Sequence, residues 1–136
     1  MDVLVVENDL STLSHIVELI QSWGHRAEKS ETGHSALDKV TKHKFDLILV
    51  DISLPDMASQ DLIVKLKELR PEIGIVTMTG TSNKELEKEI RTLGIIYYMS
   101  KPVSKKVLKE ILDHISLKKN GMIGDDYFKG PEKSNP

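Results

Sequence analysis

Cysteine is absent from the 136 residues, which excludes a disulfide framework, thiol chemistry and any Cys-based zinc site. Long apolar runs are missing too. No stretch approaches the ~20 apolar residues that a membrane-crossing helix needs, and the run after Met1 is too short for the apolar region of a signal peptide. The lack of such apolar segments, rather than of cysteine, predicts a cytoplasmic protein with no membrane insertion. Charge of one sign is not in excess either: 19 basic against 21 acidic residues give a formal net charge of -2, and so no general attraction for nucleic acid or an anionic membrane. Lys118, Lys119 and the lysines just before them make a modest basic strip, but no aromatics interleave with it, so it reads as a solvated face and no direct nucleic-acid contact is expected. Neither GxGxxG nor a P-loop follows the first apolar run. Glu7 and Asp9 stand where a phosphate cradle would be, which argues against a nucleotide- or flavin-binding enzyme. His15, His25, His34, His43 and His114 show no metal-ligand spacing.

What is present is an alternation. Apolar runs of four or five residues exchange with amphipathic stretches, the pattern of successive βα units and a mostly parallel sheet. Five strands and five helices are predicted. The first strand is VLVV, residues 3–6. The first helix starts near Ser11 as its N-cap, carries Leu13, Ile16, Val17 and Ile20 at helical spacing, and stops at Gly24. The second strand, around residues 26–29, has little apolar content and suits an edge. A short helix with Ala36, Leu37 and Val40 follows Gly33, and the third strand is LILV, residues 47–50. The third helix is expected to bury Leu62, Ile63, Leu66 and Leu69 before Pro71 forbids its continuation. Residues 75–78 form the fourth strand, and a fourth helix with a thin stripe of Leu86, Ile90 and Leu93 ends before Gly94, which predicts loose packing. The fifth strand, residues 95–99, runs into Lys101 and Pro102. A fifth helix then buries Val107, Leu108, Ile111, Leu112 and Ile115. The expected domain covers residues 1–116, with a mostly disordered tail over 117–136, rich in Gly, Pro and charge.

Four strands end in residues that can work together. VLVV is followed by Glu7, Asn8 and Asp9; LILV by Asp51, with Pro55 four residues on; the fourth strand by Thr79; the fifth by Ser100 and Lys101. In an open parallel sheet with helices on both faces, ligands bind outside the carboxyl ends of the strands, so these side chains converge. Alone, Asp51 before Pro55 would read as a turn residue. The joint pattern argues for a site.

On VLVVEND, LILVDISLPDM, MTGTS and YYMSKP, the chain resembles the receiver domain of two-component response regulators, chemotaxis regulators among them. The resemblance covers about residues 2–116. It implies a flavodoxin-like, doubly wound (βα)5 three-layer sandwich with sheet order 2-1-3-4-5. It also implies that Asp51 is phosphorylated from a phosphohistidine on a sensor histidine kinase or a histidine phosphotransfer protein. Mg²⁺ would be held by Glu7, Asn8, Asp51 and the Ser53 backbone carbonyl. Lys101 would pair with Asp51 and then with the phosphoryl group, and Thr79 would donate its hydroxyl to it. Tyr98 would rotate inward as Thr79 moves, reshaping the face of the fourth helix, fifth strand and fifth helix for a downstream protein or a homodimer partner. Pro102 would be prone to the cis form. Such a domain signals and is not an enzyme, beyond self-phosphorylation and self-dephosphorylation.

Two residues depart from the family pattern. Asn8 stands where a second acid is usual, and an amide oxygen ligates magnesium without full charge, so weaker metal affinity is expected. This opens an alternative, an atypical receiver with an impaired metal site that binds proteins without phosphorylation. Asp9 is expected to aim away from the pocket. Ser59 replaces a common Gly, and a positive φ there would be strained.

Overall fold

The computed structural model of the chain describes residues 1–81 and 83–121. The chain divides into two compact units, Met1–Pro102 and Val103–Pro136. The first unit contains β1 (Asp2–Val6), α1 (Leu10–Ser22), β2 (Arg26–Ser30), α2 (Gly33–Lys42), β3 (Leu47–Asp51), α3 (Ser59–Leu69), β4 (Gly74–Thr79), α4 (Lys84–Arg91) and β5 (Tyr97–Ser100). All strand pairs are parallel and the order is β2-β1-β3-β4-β5. This is the expected flavodoxin-like, doubly wound arrangement.

Strand alternation sorts the core. Leu4, Val6, Ile48, Val50 and Ile75 face one way and pack with Ala36 and Val40 of α2, Leu62, Ile63 and Leu66 of α3, and Ile90 of α4. Val3, Val5, Leu47 and Leu49 are fully buried on the other side. There α1 lies along β1 and β2 and buries Leu13, Ile16, Val17 and Ile20. Because β1 and β3 are buried on both faces, they read as unbroken apolar runs. The edge strand β2 has the burial pattern of exposed and half-exposed residues up to Ser30, as its polar sequence requires.

Several local expectations change. The N-cap of α1 is Asp9, not Ser11: its carboxylate accepts from Thr12 N at 2.9 Å and Thr12 Oγ1 at 2.5 Å. Gly24 does take the left-handed conformation after the helix, with φ 88°. Leu69 is 40% exposed, because α3 stops there and Arg70, preceding Pro71, is already extended at φ -141°. Of the expected α4 stripe, Ile90 is buried and Leu86 and Leu93 are half-buried against the same core, with Leu93 just past the end of the helix. Ile95 and Ile96 precede β5 rather than forming it. Ser59 opens α3 without strain, since no non-glycine residue among those described has a positive φ.

In the second unit, α5 spans Lys105–Lys119, capped by Ser104 Oγ, which accepts from Val107 N at 3.2 Å. Leu108, Ile111, Leu112 and Ile115 are buried and Val107 is half-buried. The helix runs three residues past the expected boundary at 116, so Leu117, Lys118 and Lys119 are helical. Asn120 caps the helix and Gly121 follows it with φ 74°, and residues 122–136 of the predicted tail lie outside the described residues. No helix among the described residues is long and apolar enough to cross a membrane.

Candidate functional site

Register levels the strand ends. Val6 pairs with Val50, Asp51 with Met78, and Thr79 with Ser100. Glu7, Asp51, Thr79 and Lys101 therefore fall along one edge of the sheet, each at the residue where an apolar run gives out. The backbone extends the ladder past the strands: Lys101 N donates to Thr79 O at 2.7 Å, and Ile52 N to Met78 O at 3.0 Å. The Lys101–Pro102 bond is cis, as expected.

Three side chains meet. The Lys101 ammonium donates to Asp51 Oδ2 at 2.8 Å and lies against Glu7 Oε1. Glu7 is 1% exposed and Asp51 4%, so one cation serves two buried carboxylates. Burial pushes the Glu7 carboxyl above its usual range, and neighbouring Asp51 pushes it further, against the pull of Lys101. Burial alone would lower the Lys101 ammonium, but its bonds to Asp51 and Glu7 outweigh that and raise it. Asp51 Oδ1 accepts from Ser53 N at 3.0 Å, and Glu7 Oε2 from Asp9 N at 3.1 Å.

The remaining predicted residues sit around this centre. Asn8 and Ser53 are exposed. Asp9 is spent on capping α1, and its bonds from Thr12 hold its carboxyl below the ordinary value. Thr79 is buried at the end of β4, with its hydroxyl donating to Thr81 O at 2.7 Å and accepting from Thr81 N at 3.1 Å. A cavity of about 250 Å³ lies beside it, bounded among others by Lys84, Glu87 and Tyr98. Tyr98 is turned inward in this structure. It is already 8% exposed, with the Arg91 guanidinium 5.6 Å from its ring centroid and Arg91 paired to Glu87 at 3.5 Å.

The donor set fits a small hard cation. Glu7 Oε1 is buried beside the ammonium yet receives no aligned hydrogen bond. Two carboxylates, an amide and a peptide carbonyl are all oxygen donors. Among the described residues no cluster of three or more His, Cys, Asp or Glu could hold a metal. Mg²⁺ needs no such cluster, since it takes one or two carboxylates and keeps several waters.

Two residues near the site were missed in the sequence. Asp56 accepts from Gly33 N and His34 N, both at 2.9 Å, and Arg91 covers Tyr98. No linear spacing marks either one, because their partners come from other elements.

Comparison with known proteins agrees with this geometry. The model of the response regulator receiver domain matches residues 3–113. The polar-differentiation response regulator DivK of Brucella anthropi is 34% identical over 105 residues, which are 75% of this chain and 85% of that protein. The transcriptional regulatory protein ZraR of Klebsiella oxytoca is 30% identical over 139 residues, 92% of this chain but 31% of the relative. The chain thus spans under a third of the length of the ZraR proteins it matches. The crystal structure of a CheY-like receiver domain protein from Methanospirillum hungatei JF-1 superposes with a TM-score of 0.81 at 27% identity, covering 88% of this chain and 97% of that one. With four strand ends level and the receiver model spanning β1 into α5, this chain belongs to the response regulator receiver domain family of two-component systems.

Proposed function

We propose that Asp51 accepts a phosphoryl group from a phosphohistidine on a histidine kinase or phosphotransfer protein in the cytoplasm, and that the α4–β5 side of the domain signals the change by protein contact. The observation that carries this is the Lys101 ammonium bridging two buried carboxylates. An Asp51 carboxylate oxygen would attack phosphorus. The O–P bond forms as the P–N bond breaks, and the imidazole leaves with the electron pair. Lys101 already touches Asp51 Oδ2, so it can pass to a phosphoryl oxygen with little movement. Thr79 must give up Thr81 O to offer its hydroxyl there. Glu7, Asn8, Asp51 and the Ser53 carbonyl would hold Mg²⁺. When bound, that ion neutralises the charge gathered by phosphoryl group and carboxylates. A response regulator needs no turnover chemistry beyond gaining and losing this group.

A second reading, phosphorylation-independent binding, is favoured by one observation: Tyr98 is buried while the Thr79 hydroxyl still bonds within its own loop. One experiment separates the two. Intact mass with a small-molecule phosphodonor and amide NMR with Mg²⁺ and beryllofluoride are recorded for wild type and Asp51→Asn. A response lost in the variant supports the phosphoacceptor; a silent wild type at high Mg²⁺ supports the binding module.

A further inference from the structure

The β3–α3 loop, which carries Ser53, would be expected to wander. Its distal end enters α3 at Ala58, a cap residue that makes no side-chain hydrogen bond. The loop is fastened elsewhere. Asp56 Oδ1 accepts from Gly33 N and Oδ2 from His34 N, each at 2.9 Å, and the His34 ring contacts Oδ2 as well. The first turn of α2 is then fully accounted for, since Ser35 N donates to Thr32 Oγ1 and Ala36 N to Thr32 O. A carboxylate at this end also meets the positive pole of the helix dipole. The approach is so close that a Cβ on Gly33 would clash with Met57 Sδ.

The same turn of α2 reaches the other side of the site. Ser35 Oγ lies 3.0 Å from Ser30 Oγ, and Ser30 O accepts from Glu7 N at 2.9 Å. One short chain of bonds therefore links Glu7, the end of β2, the start of α2, Asp56 and the loop that follows Asp51. We propose that Asp56 is a positioning residue: by clasping the start of α2 it fixes the Ser53 loop relative to Glu7 and Asp51, and so sets the affinity of the site for Mg²⁺. The proposal rests on the phosphoacceptor reading above.

The test compares wild type, Asp56→Ala, Asp56→Asn and Thr32→Ala. Thr32→Ala removes a cap of the same helix without touching the loop, so it reports what loss of α2 stability alone does. Mg²⁺ is titrated against the amide shifts of Glu7, Asp51 and Ser53. Exchange of the Ser53 amide is measured without metal, and each variant's stability by urea. Asp56→Ala is expected to weaken Mg²⁺ about tenfold, the lower end for residues that orient metal ligands, and to speed Ser53 exchange. Asp56→Asn, which keeps one acceptor oxygen and serves if the alanine variant does not fold, should fall between. Thr32→Ala should lose stability and hold its Mg²⁺ affinity within twofold. An Asp56→Ala that binds Mg²⁺ as wild type does, or a Thr32→Ala that weakens it equally, overturns the clasp and leaves the phosphoacceptor standing. A wild type silent to Mg²⁺ and beryllofluoride overturns both.

Discussion

Replacing Lys101 with methionine removes the only cation, among the described residues, in contact with two carboxylates whose side chains are 1% and 5% exposed. Breaking a buried ion pair by deleting one partner costs roughly 3–5 kcal/mol, because the charge left behind is uncompensated. Two features set the expected size. The lysine side chain is itself 22% exposed, so water reaches the cluster and the cost belongs at the low end, about 3 kcal/mol. Two carboxylates rather than one are stranded, which keeps it from falling below that. In a domain of this size such a loss lowers Tm by roughly 10 °C.

The assay is urea unfolding at neutral pH with divalent cations chelated, on wild type, Lys101→Met, Glu7→Gln and the double variant. Because Glu7 contributes the second stranded charge, the double variant should recover at least half of the loss, a coupling that only neighbours show. On the phosphoreceiver reading, Mg²⁺ takes over the lysine's electrostatic work, so saturating Mg²⁺ stabilises Lys101→Met more than wild type. A ligand at a hundred times its Kd adds about 2.7 kcal/mol. A Lys101→Met as stable as wild type without metal, or a double variant no better than the single one, would refute the argument from stranded charge.

Gly33→Ala should cost about 1 kcal/mol, since the new Cβ would clash with Met57 Sδ and Cγ, in a side chain able to shift, and meets Asp56 Oδ1 only at ordinary contact distance; in a Met57→Ala background the same change should cost nothing, as urea unfolding of both pairs will show. Burial pushes the Asp56 carboxyl up, but the amides of Gly33 and His34 and the His34 ring outweigh it and hold it at about 2. Its unfolded value is ~3.9, so the stability it adds is fully present above about pH 4 and is lost as pH falls through 2; the advantage of wild type over Asp56→Asn should shrink across that window in acid-titrated unfolding. The buried Tyr98 hydroxyl has no hydrogen-bond partner among the described residues, so Tyr98→Phe should raise stability by about 1 kcal/mol while keeping the Arg91 contact. A lower Tm in that variant would show that the hydroxyl is satisfied.

Strand-end residues were legible in the sequence for a physical reason. Each apolar run stops at or next to the last residue of its strand, and parallel register then brings those stops close together, so Glu7, Asp51, Thr79 and Lys101 could be placed together without a structure. Even the weak strand β2 was legible, because an edge needs little apolar content. The helix α1 was placed correctly but its cap was not, since Asp9 and Ser11 are both good N-caps and only the loop geometry after Glu7 chooses between them. Leu69 fitted the helical spacing of Leu62 and Leu66, yet it is the last residue of α3 before Pro71 and is left 40% exposed. Tyr98 joins the core cluster with Arg91, one element away, over its ring, a pairing that no period of 2 or 3.6 reveals.

Asp56 shows the limit most clearly. In LPDM it has the look of an ordinary turn residue, and its partners lie 22 and 23 positions upstream. A sheet specifies the relative positions of its strand ends through register alone, but a loop leaving the sheet inherits no such constraint and has to be tied down by a bond to something rigid. Here Asp51 and Lys101 are brought together by register, and the loop that carries Ser53 is held by a tether. Periodicity finds the first kind. The second is found by asking which donors at the start of a helix still lack a partner: Thr32 serves Ser35 and Ala36, Gly33 and His34 are left over, and a carboxylate from another loop has to answer them.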